Sequence, residues 1–280
     1  MKTRVLFSVI TLLLLQTELS CQRFPYLEDK GEISSITTGN GIDDPVTVKV
    51  IYDNYIKVPG MTPDWGYSIL IEGLDNEILF DTGTKPDVFE SNLGKMDIDV
   101  SQVDFLVLSH EHGDHTGGIP SFAKMKSDIP VIIPHSFTGA FIKDMFSLGL
   151  KPVLVKEPAP ICENLFTSGV FDFQIAEQAL VLNTKKGLVV MTGCAHPGII
   201  NMLKQIRSSF DKDVYMVFGG FHLMDKSEKE METIISEMKA IGVKKCGATH
   251  CTGDMQIKMF RDSFGEDYFE LGAGNIIVIN

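Results

Sequence analysis

A run of six residues limits this chain more than any other feature: His110-Glu111-His112-Gly113-Asp114-His115 gathers three imidazoles and a carboxylate in one short stretch. Histidine occupies only 7 of 280 positions, so a His-x-His-x-Asp-His pattern arises by chance roughly a few times in ten thousand such chains. A solvated polar loop needs no such pattern. Neutral imidazole and carboxylate are ligands for zinc, manganese or iron, and a His/Asp set without thiolates belongs to catalytic rather than closed structural sites. Gly113 permits a turn in which adjacent side chains diverge. One loop can then serve two ions, His110 and His112 one, Asp114 and His115 the other. A loop this short cannot complete either shell, so further ligands must come from distant segments.

The flanking sequence shows how the cluster is delivered. Residues 46–52, 67–72 and 77–80 are β-rich runs separated by turn residues, and 105–108 is a continuous apolar run that closes onto Ser109-His110. Residues 131–133 form another strand, followed by His135, read as a surface or pocket-rim histidine. Later, 179–183 and 188–191 read as strands around the turn Lys185-Lys186-Gly187, and a helix follows from about 199 to 210. Residues 214–218 form a strand ending in Gly219-Gly220-Phe221-His222. Met231, Ile234, Ile235, Met238 and Ile241 then recur at helical spacing, with Ser227 and Glu230 in a capping-box pattern and Gly242 at the end. A last run, 243–249, leads to His250. Histidines therefore stand where strands stop, as in an α/β sandwich of two mixed sheets with helices outside and a site shared by the loops along one edge.

The bulk properties narrow partners and location. A formal net charge of −12 opposes general attraction to a phosphate backbone, which excludes nucleic acid as a partner. Acidity does not exclude a small anionic substrate, because bound cations invert the local field of a pocket. Nothing points to a protein partner. At the N-terminus, Lys2 and Arg4 precede an apolar stretch over 5–15, too short to cross about 30 Å of hydrocarbon and of the form of an export signal over 1–20. Ser20-Cys21 resembles a lipoprotein processing site, which would attach the chain to a membrane through a lipidated Cys21, although Glu18 departs from that pattern. The expected organisation is a signal over 1–20, a flexible segment over 21–44 and a catalytic domain over 45–280, exported to the periplasm or anchored there. Cys162, Cys194, Cys246 and Cys251 are too sparse for a disulfide scaffold, so packing must hold the fold.

Residues 108–118 resemble the metal-binding motif of the metallo-β-lactamase superfamily, and Ile78-Leu79-Phe80-Asp81-Thr82-Gly83 resembles the strand and turn preceding it there. Gly193-Cys194-Ala195-His196-Pro197-Gly198, Gly219-Gly220-Phe221-His222-Leu223 and Thr249-His250-Cys251-Thr252-Gly253 are similar to the dihydropterin-6-methyl-(ribofuranosyl)aminobenzene 5′-phosphate synthase-like branch. The likeness spans about residues 46–280. It implies an αββα sandwich with two divalent metal ions, zinc first and manganese or iron as alternatives. The implied ligands are His110, His112, Asp114, His115, His196 and His250, with Asp114 also orienting the attacking water. Many members carry a bridging aspartate where this chain has Cys194. Either Cys194 is a soft ligand, or His196 takes over, or hydroxide alone bridges. Cys251 beside His250 is either a neighbour of the metal or an ordinary buried thiol. His222, after Gly219-Gly220, is placed either to bind metal or to hold the substrate's anionic group, and the second role is the expected one.

The expected activity is a zinc-type hydrolase acting through metal-activated hydroxide on a small phosphoester or pterin-phosphate-like substrate. Two enzymatic alternatives share the fold: an iron-dependent oxidoreductase and the synthase reaction of the resembled branch. A catalytically weak binding module is a third.

Overall fold

The computed structural model describes residue 36 and residues 38–280. The expected signal over 1–20 and the expected lipid site at Cys21 lie outside the described residues. Within the segment 21–44, Ile36 and Ile42 donate backbone hydrogen bonds to Ser209 and Asn183.

The first sheet is laid down by β1 (Val46–Tyr52), β2 (Ser68–Glu72), β3 (Ile78–Phe80), β4 (Phe105–Val107), β5 (Pro130–Pro134) and β6 (Lys151–Val155). The chain then crosses to a second sheet of β7 (Ala159–Cys162), β8 (Leu165–Phe171), β9 (Glu177–Thr184), β10 (Gly187–Thr192), β11 (Val214–Gly220) and β12 (Lys245–Thr249). A final strand, β13 (Ile276–Ile279), returns to the edge of β1. The spatial orders are 13-1-2-3-4-5-6 and 12-11-10-9-8-7. Both sheets are mixed, the first antiparallel up to the β2/β3 pair and parallel from β3 to β6, the second antiparallel from β7 to β10 and parallel from β10 to β12. Among the described residues seven α-helices complete it: α1 (Pro86–Lys95), α2 (Gly113–Thr116), α3 (Ile119–Met125), α4 (Gly139–Ser147), α5 (Ile199–Phe210), α6 (Glu228–Ile241) and α7 (Asp254–Phe264).

The layers follow from the two-residue period of the strands. Along β9, Leu180 and Leu182 pack with Val48, Ile69 and Phe80 of the first sheet, while Ala179 and Val181 pack outward with α5 and α6. In β4 the split is Val107 inward and Leu106 outward, toward Phe89 of α1 and Phe122 of α3. Strands covered on both faces read as unbroken apolar runs, which is why 105–108 looks so uniform in sequence.

The structure is the expected αββα sandwich, and each strand or helix drawn from the sequence lies within two residues of an observed one at each end. Helix α6 keeps both expected caps, the reciprocal Ser227/Glu230 box and Gly242 in left-handed conformation at φ 113°. Its buried stripe is Met231, Ile235, Met238 and Ile241, each fully buried side chain contributing roughly 1.5–3 kcal/mol. Sequence periodicity does not reveal α1, α3, α4, α7, β6, β7, β8 or β13. The helix α4 buries only Ile142 and Met145, too few to show a helical period, and the alternation of β8 is interrupted by a bulge between Thr167 and Val170 around Gly169 at φ 72°. The carboxyl ends of β3, β4, β10, β11 and β12 meet along one rim, which presents Asp81, His110, Cys194, His222 and His250 to a common space.

Candidate metal centre

The cluster is built at the end of β4, where the chain leaves the sheet through Leu108-Ser109 and turns into the short helix α2 with His112 at its N-cap position. This turn separates the side chains as Gly113 allows. His110 and His112 meet His196 from the loop after β10, their ring centroids pairwise 4.6–4.8 Å apart. Asp114 and His115 instead meet His250 from the end of β12: Asp114 Oδ2 lies 3.3 Å from His250 Nε2 and 3.7 Å from His115 Nε2. Cys194 stands between the two groups, its thiol 3.2 Å from His115 Nε2. Its Sγ falls within 4.8 Å of the ligand atoms of both the Asp114, His115, His250 set and the His110, His196 pair. His222 packs its ring 4.4 Å from that of His196. His135 is half-buried beyond β5, and it is not among the residues lining the cavity.

Each inner imidazole is fixed through Nδ1. Asp81 Oδ2 holds His115 at 2.6 Å, Ser109 Oγ holds His110 at 2.9 Å, Glu177 Oε2 holds His196 at 3.0 Å and Asn54 Oδ1 holds His250 at 2.9 Å. Such outer partners set the tautomer and leave Nε2 as the atom available to a ligand. The Nε2 atom of His110 is buried with no hydrogen-bond partner, an arrangement that is costly unless something else satisfies it, and the buried Nε2 of His250 faces the Asp114 carboxylate at 3.3 Å. The donor set therefore fits divalent cations: borderline nitrogen ligands, one carboxylate and a thiol, with the His110 Nε2 left unsatisfied.

Glu177 binds the whole loop after β10. Its carboxylate accepts from the backbone N–H groups of Cys194, Ala195 and His196 at 2.8–2.9 Å. Burial opposes its ionisation, but His110, His196 and those amides outweigh it and hold the carboxyl well below the usual range. Burial likewise opposes the charge on Asp114, and His250 and His115 overcome it. For His115 the burial penalty is outweighed by Asp81, and its pKa rises to about 9, whereas burial drives His110 far down. At Asp81 burial wins and the pKa is raised despite His115 and Ser109.

The backbone is strained where it meets this site. Asp81, Ala195, His222 and His250 all sit at φ between 50° and 59°, a left-handed conformation that costs such residues roughly 1–3 kcal/mol each. The site opens into a cavity of about 290 Å³ lined by Trp65, His112, Asp114, Cys194, His196 and His222, with Met224, Asp225 and Cys251 completing the wall. Trp65 donates from Nε1 to Asp114 Oδ2 at 2.8 Å, and its ring leans on His250.

The six histidines and acids expected together do converge, and His222 and Cys194 join them. Sequence reasoning did not single out Asn54, Trp65, Ser109, Asp81 or Glu177 as site residues. Two of these had a signal: Asp81 stands in a motif-like turn after an apolar strand, and Glu177 is a carboxylate opening a strand buried along its whole length. Asn54 and Trp65 had none, because only folding brings them to His250 and Asp114.

The sequence profile of the metallo-β-lactamase superfamily matches residues 61–196. The chain is 33% identical over 268 residues to the 7,8-dihydropterin-6-methyl-4-(β-D-ribofuranosyl)-aminobenzene-5′-phosphate synthase of Methanocaldococcus jannaschii, covering 77% of this chain and 91% of that protein. Among solved structures, a metal-dependent hydrolase of the β-lactamase superfamily superposes with a TM-score of 0.70 at 29% identity, covering 83% of this chain and 98% of the other. A metallo-β-lactamase fold protein from Bacillus subtilis shares the fold at a TM-score of 0.62 and 16% identity, over 84% of this chain and all of its own. The histidine loop at the end of β4, the two mixed sheets and these likenesses agree: the chain belongs to the metallo-β-lactamase superfamily, on the branch of the dihydropterin-aminobenzene-phosphate synthase.

Proposed function

We propose that this chain is a hydrolase that uses two divalent cations, zinc in the first instance, on a small anionic substrate of the phosphoester class. The observation that carries the reading is the buried, unsatisfied Nε2 of His110 next to the convergence of Asp114, His115 and His250, beside a cavity of about 290 Å³. His110, His112 and His196 would hold one ion, and Asp114, His115 and His250 the other. Bound there, the pair supplies Lewis acidity and makes water acidic enough to act as a nucleophile near pH 7.

The chain's own residues do the positioning. Asp81, Ser109, Glu177 and Asn54 keep the imidazoles in the tautomer that leaves Nε2 free. Trp65 fixes one oxygen of Asp114, and the carboxylate stays ionised across the neutral range, able to orient water. Trp65 and Met224, both substantially exposed at the mouth, offer an apolar wall to the body of a substrate. The 29%-identical neighbour described as a metal-dependent hydrolase supports the reaction class.

The test is turnover of a phosphoester panel by chelator-treated protein before and after reconstitution with zinc, manganese or iron. Activity restored by metal supports the reading; undiminished activity in metal-free protein overturns it. The synthase relative favours a second reading, in which the cavity takes a pterin-phosphate-like substrate into a synthase reaction. Mass analysis of products, showing a joined product rather than a hydrolysed one, would favour it. For location we propose export directed by residues 1–20, with attachment to a membrane through Cys21.

A further inference from the structure

Beside the two nitrogen-rich groups, a third set of donors lies against the same cavity, and two of its three members, His222 and Cys251, have no part in the ligand groups above. Cys194, His222 and Cys251 come from the ends of β10, β11 and β12, and their ligand atoms all fall within 4.8 Å of one another. Both cysteines are 2% exposed, yet both line the cavity together with His222. A buried free cysteine is ordinarily a small apolar filler. Here the Cys251 thiol also points at the Cys194 carbonyl oxygen, 3.7 Å away, and the position is made possible by Gly220, where an added Cβ would lie 2.8 Å from Cys251 Sγ and 2.3 Å from the Gly193 carbonyl oxygen. His222 stands in the left-handed region at φ 50°, and one of its ring nitrogens falls within 4.8 Å of both sulfurs. Three strand ends thus converge two sulfurs and one imidazole, with the fourth side open to the cavity.

We propose that Cys194, Cys251 and His222 form an additional, thiophilic metal position of the Cys2His type, open toward the cavity and sharing Cys194 with the nitrogen-rich groups. Two thiolates and one imidazole with a free fourth place are a donor set suited to zinc or to a softer divalent ion such as cadmium, and they differ in softness from the His/Asp groups. Binding breaks two S–H bonds, forms two sulfur–metal bonds and releases two protons to solvent. No atom changes oxidation state. His222, expected from the sequence to hold a substrate anion, then acts on that anion through the ion. The position goes beyond the hydrolase reading and stands without it, since neither His112 nor Asp114 contributes to it.

The test is a titration of the full chain, reduced and metal-free, with Co²⁺ under anaerobic conditions, following the thiolate-to-cobalt charge-transfer absorption in the near ultraviolet and the number of ions bound. The wild type should show a charge-transfer step of two-thiolate intensity. In Cys251→Ser that intensity should fall to about half or less, and in His222→Gln the midpoint should move to at least about tenfold higher cobalt, since loss of even an outer partner costs that much. His222 is exposed, so His222→Gln keeps the test alive where Cys251→Ser disturbs folding. No charge-transfer absorption in the wild type overturns the proposal, as does absorption whose intensity and midpoint are unchanged in both variants. His112→Ala should leave the thiolate step in place while removing metal-dependent turnover, so a failed hydrolase reading and a failed thiolate site give different results.

Discussion

At the scale of single residues, the site is a set of imidazoles whose usefulness depends on what holds their far nitrogen. Replacing His112 by Ala or Asp114 by Asn removes a proposed ligand but little packing, so both should lower turnover by at least about a hundredfold while the unfolding midpoint barely moves. Wild-type turnover in either variant would remove that residue from the reaction. Asp81 and Glu177 act one step further out. Asp81→Asn and Glu177→Gln keep the shape but lose the charge that fixes His115 and His196, and metal affinity read by competition with a chelator should fall about 10–100-fold. For Glu177→Gln a second effect is expected. Its carboxylate accepts from three backbone amides, charge-assisted bonds worth roughly 1.5–3 kcal/mol each where they are retained by no other acceptor, so denaturant unfolding should show a clear loss of stability as well. Unchanged affinity in both variants would mean that the imidazoles are oriented by packing alone.

At the scale of elements, the site depends on strand ends approaching closely. Gly193, just past β10, faces Ser109 just past β4: a Cβ there would lie 2.2 Å from Ser109 Oγ and 3.2 Å from Asp81 Oδ2. Ser109 is not free to move, being bonded to Asp81 through both its backbone N–H and its hydroxyl. Gly193→Ala should therefore cost metal binding and turnover together, and retention of both would show that the two ends can part without harm. The end of β1 carries a different constraint. Asp53 is fully buried, and burial lifts its carboxyl to about 6, against hydrogen bonds from Tyr55 N–H and the Thr249 hydroxyl that favour its charge. In the unfolded chain it would ionise near 3.8. Between about pH 4 and 6 the folded chain therefore binds more protons, and stability falls as pH rises through that window, then stays at the lower level. The full difference corresponds to about 3 kcal/mol as an upper bound. Chelator-treated Asp53→Asn should flatten this slope in urea melts at successive pH values, and an unchanged slope would assign it to other groups.

At the scale of the whole molecule, ligand groups gathered from β4, β10 and β12 tie both sheets together, so an ion bound there is bound only by the folded state. At a free metal concentration a hundred times Kd this adds about 2.7 kcal/mol, which for a domain of this size raises Tm by several degrees. Calorimetry with zinc and with chelator should show that difference, and identical melts would indicate no folded-state site. Location is read at the same scale. Intact mass of membrane-associated protein should give a chain beginning at an acylated Cys21, whereas Cys21→Ser should yield a soluble exported form. A mature chain still beginning at Met1 would refute export.

The sequence by itself determined the strands that are buried on both faces, the capped helix α6 and the loop that carries His110 to His115, because each is written in a local pattern: a continuous apolar run, a capping box, ligands at fixed spacing. It also named His196, His222 and His250, since each follows a glycine-rich or strand-terminal turn. Short amphipathic helices such as α4 and the bulged β8 left too weak a period to read. Only the tertiary structure placed Cys194 between the two ligand groups and Cys251 beside His222, and supplied Asn54, Glu177 and Trp65. Those partners lie many residues from the side chains they hold, so no local rule links them. Their contacts exist because two sheets pack face to face and bring unrelated strand ends to one rim.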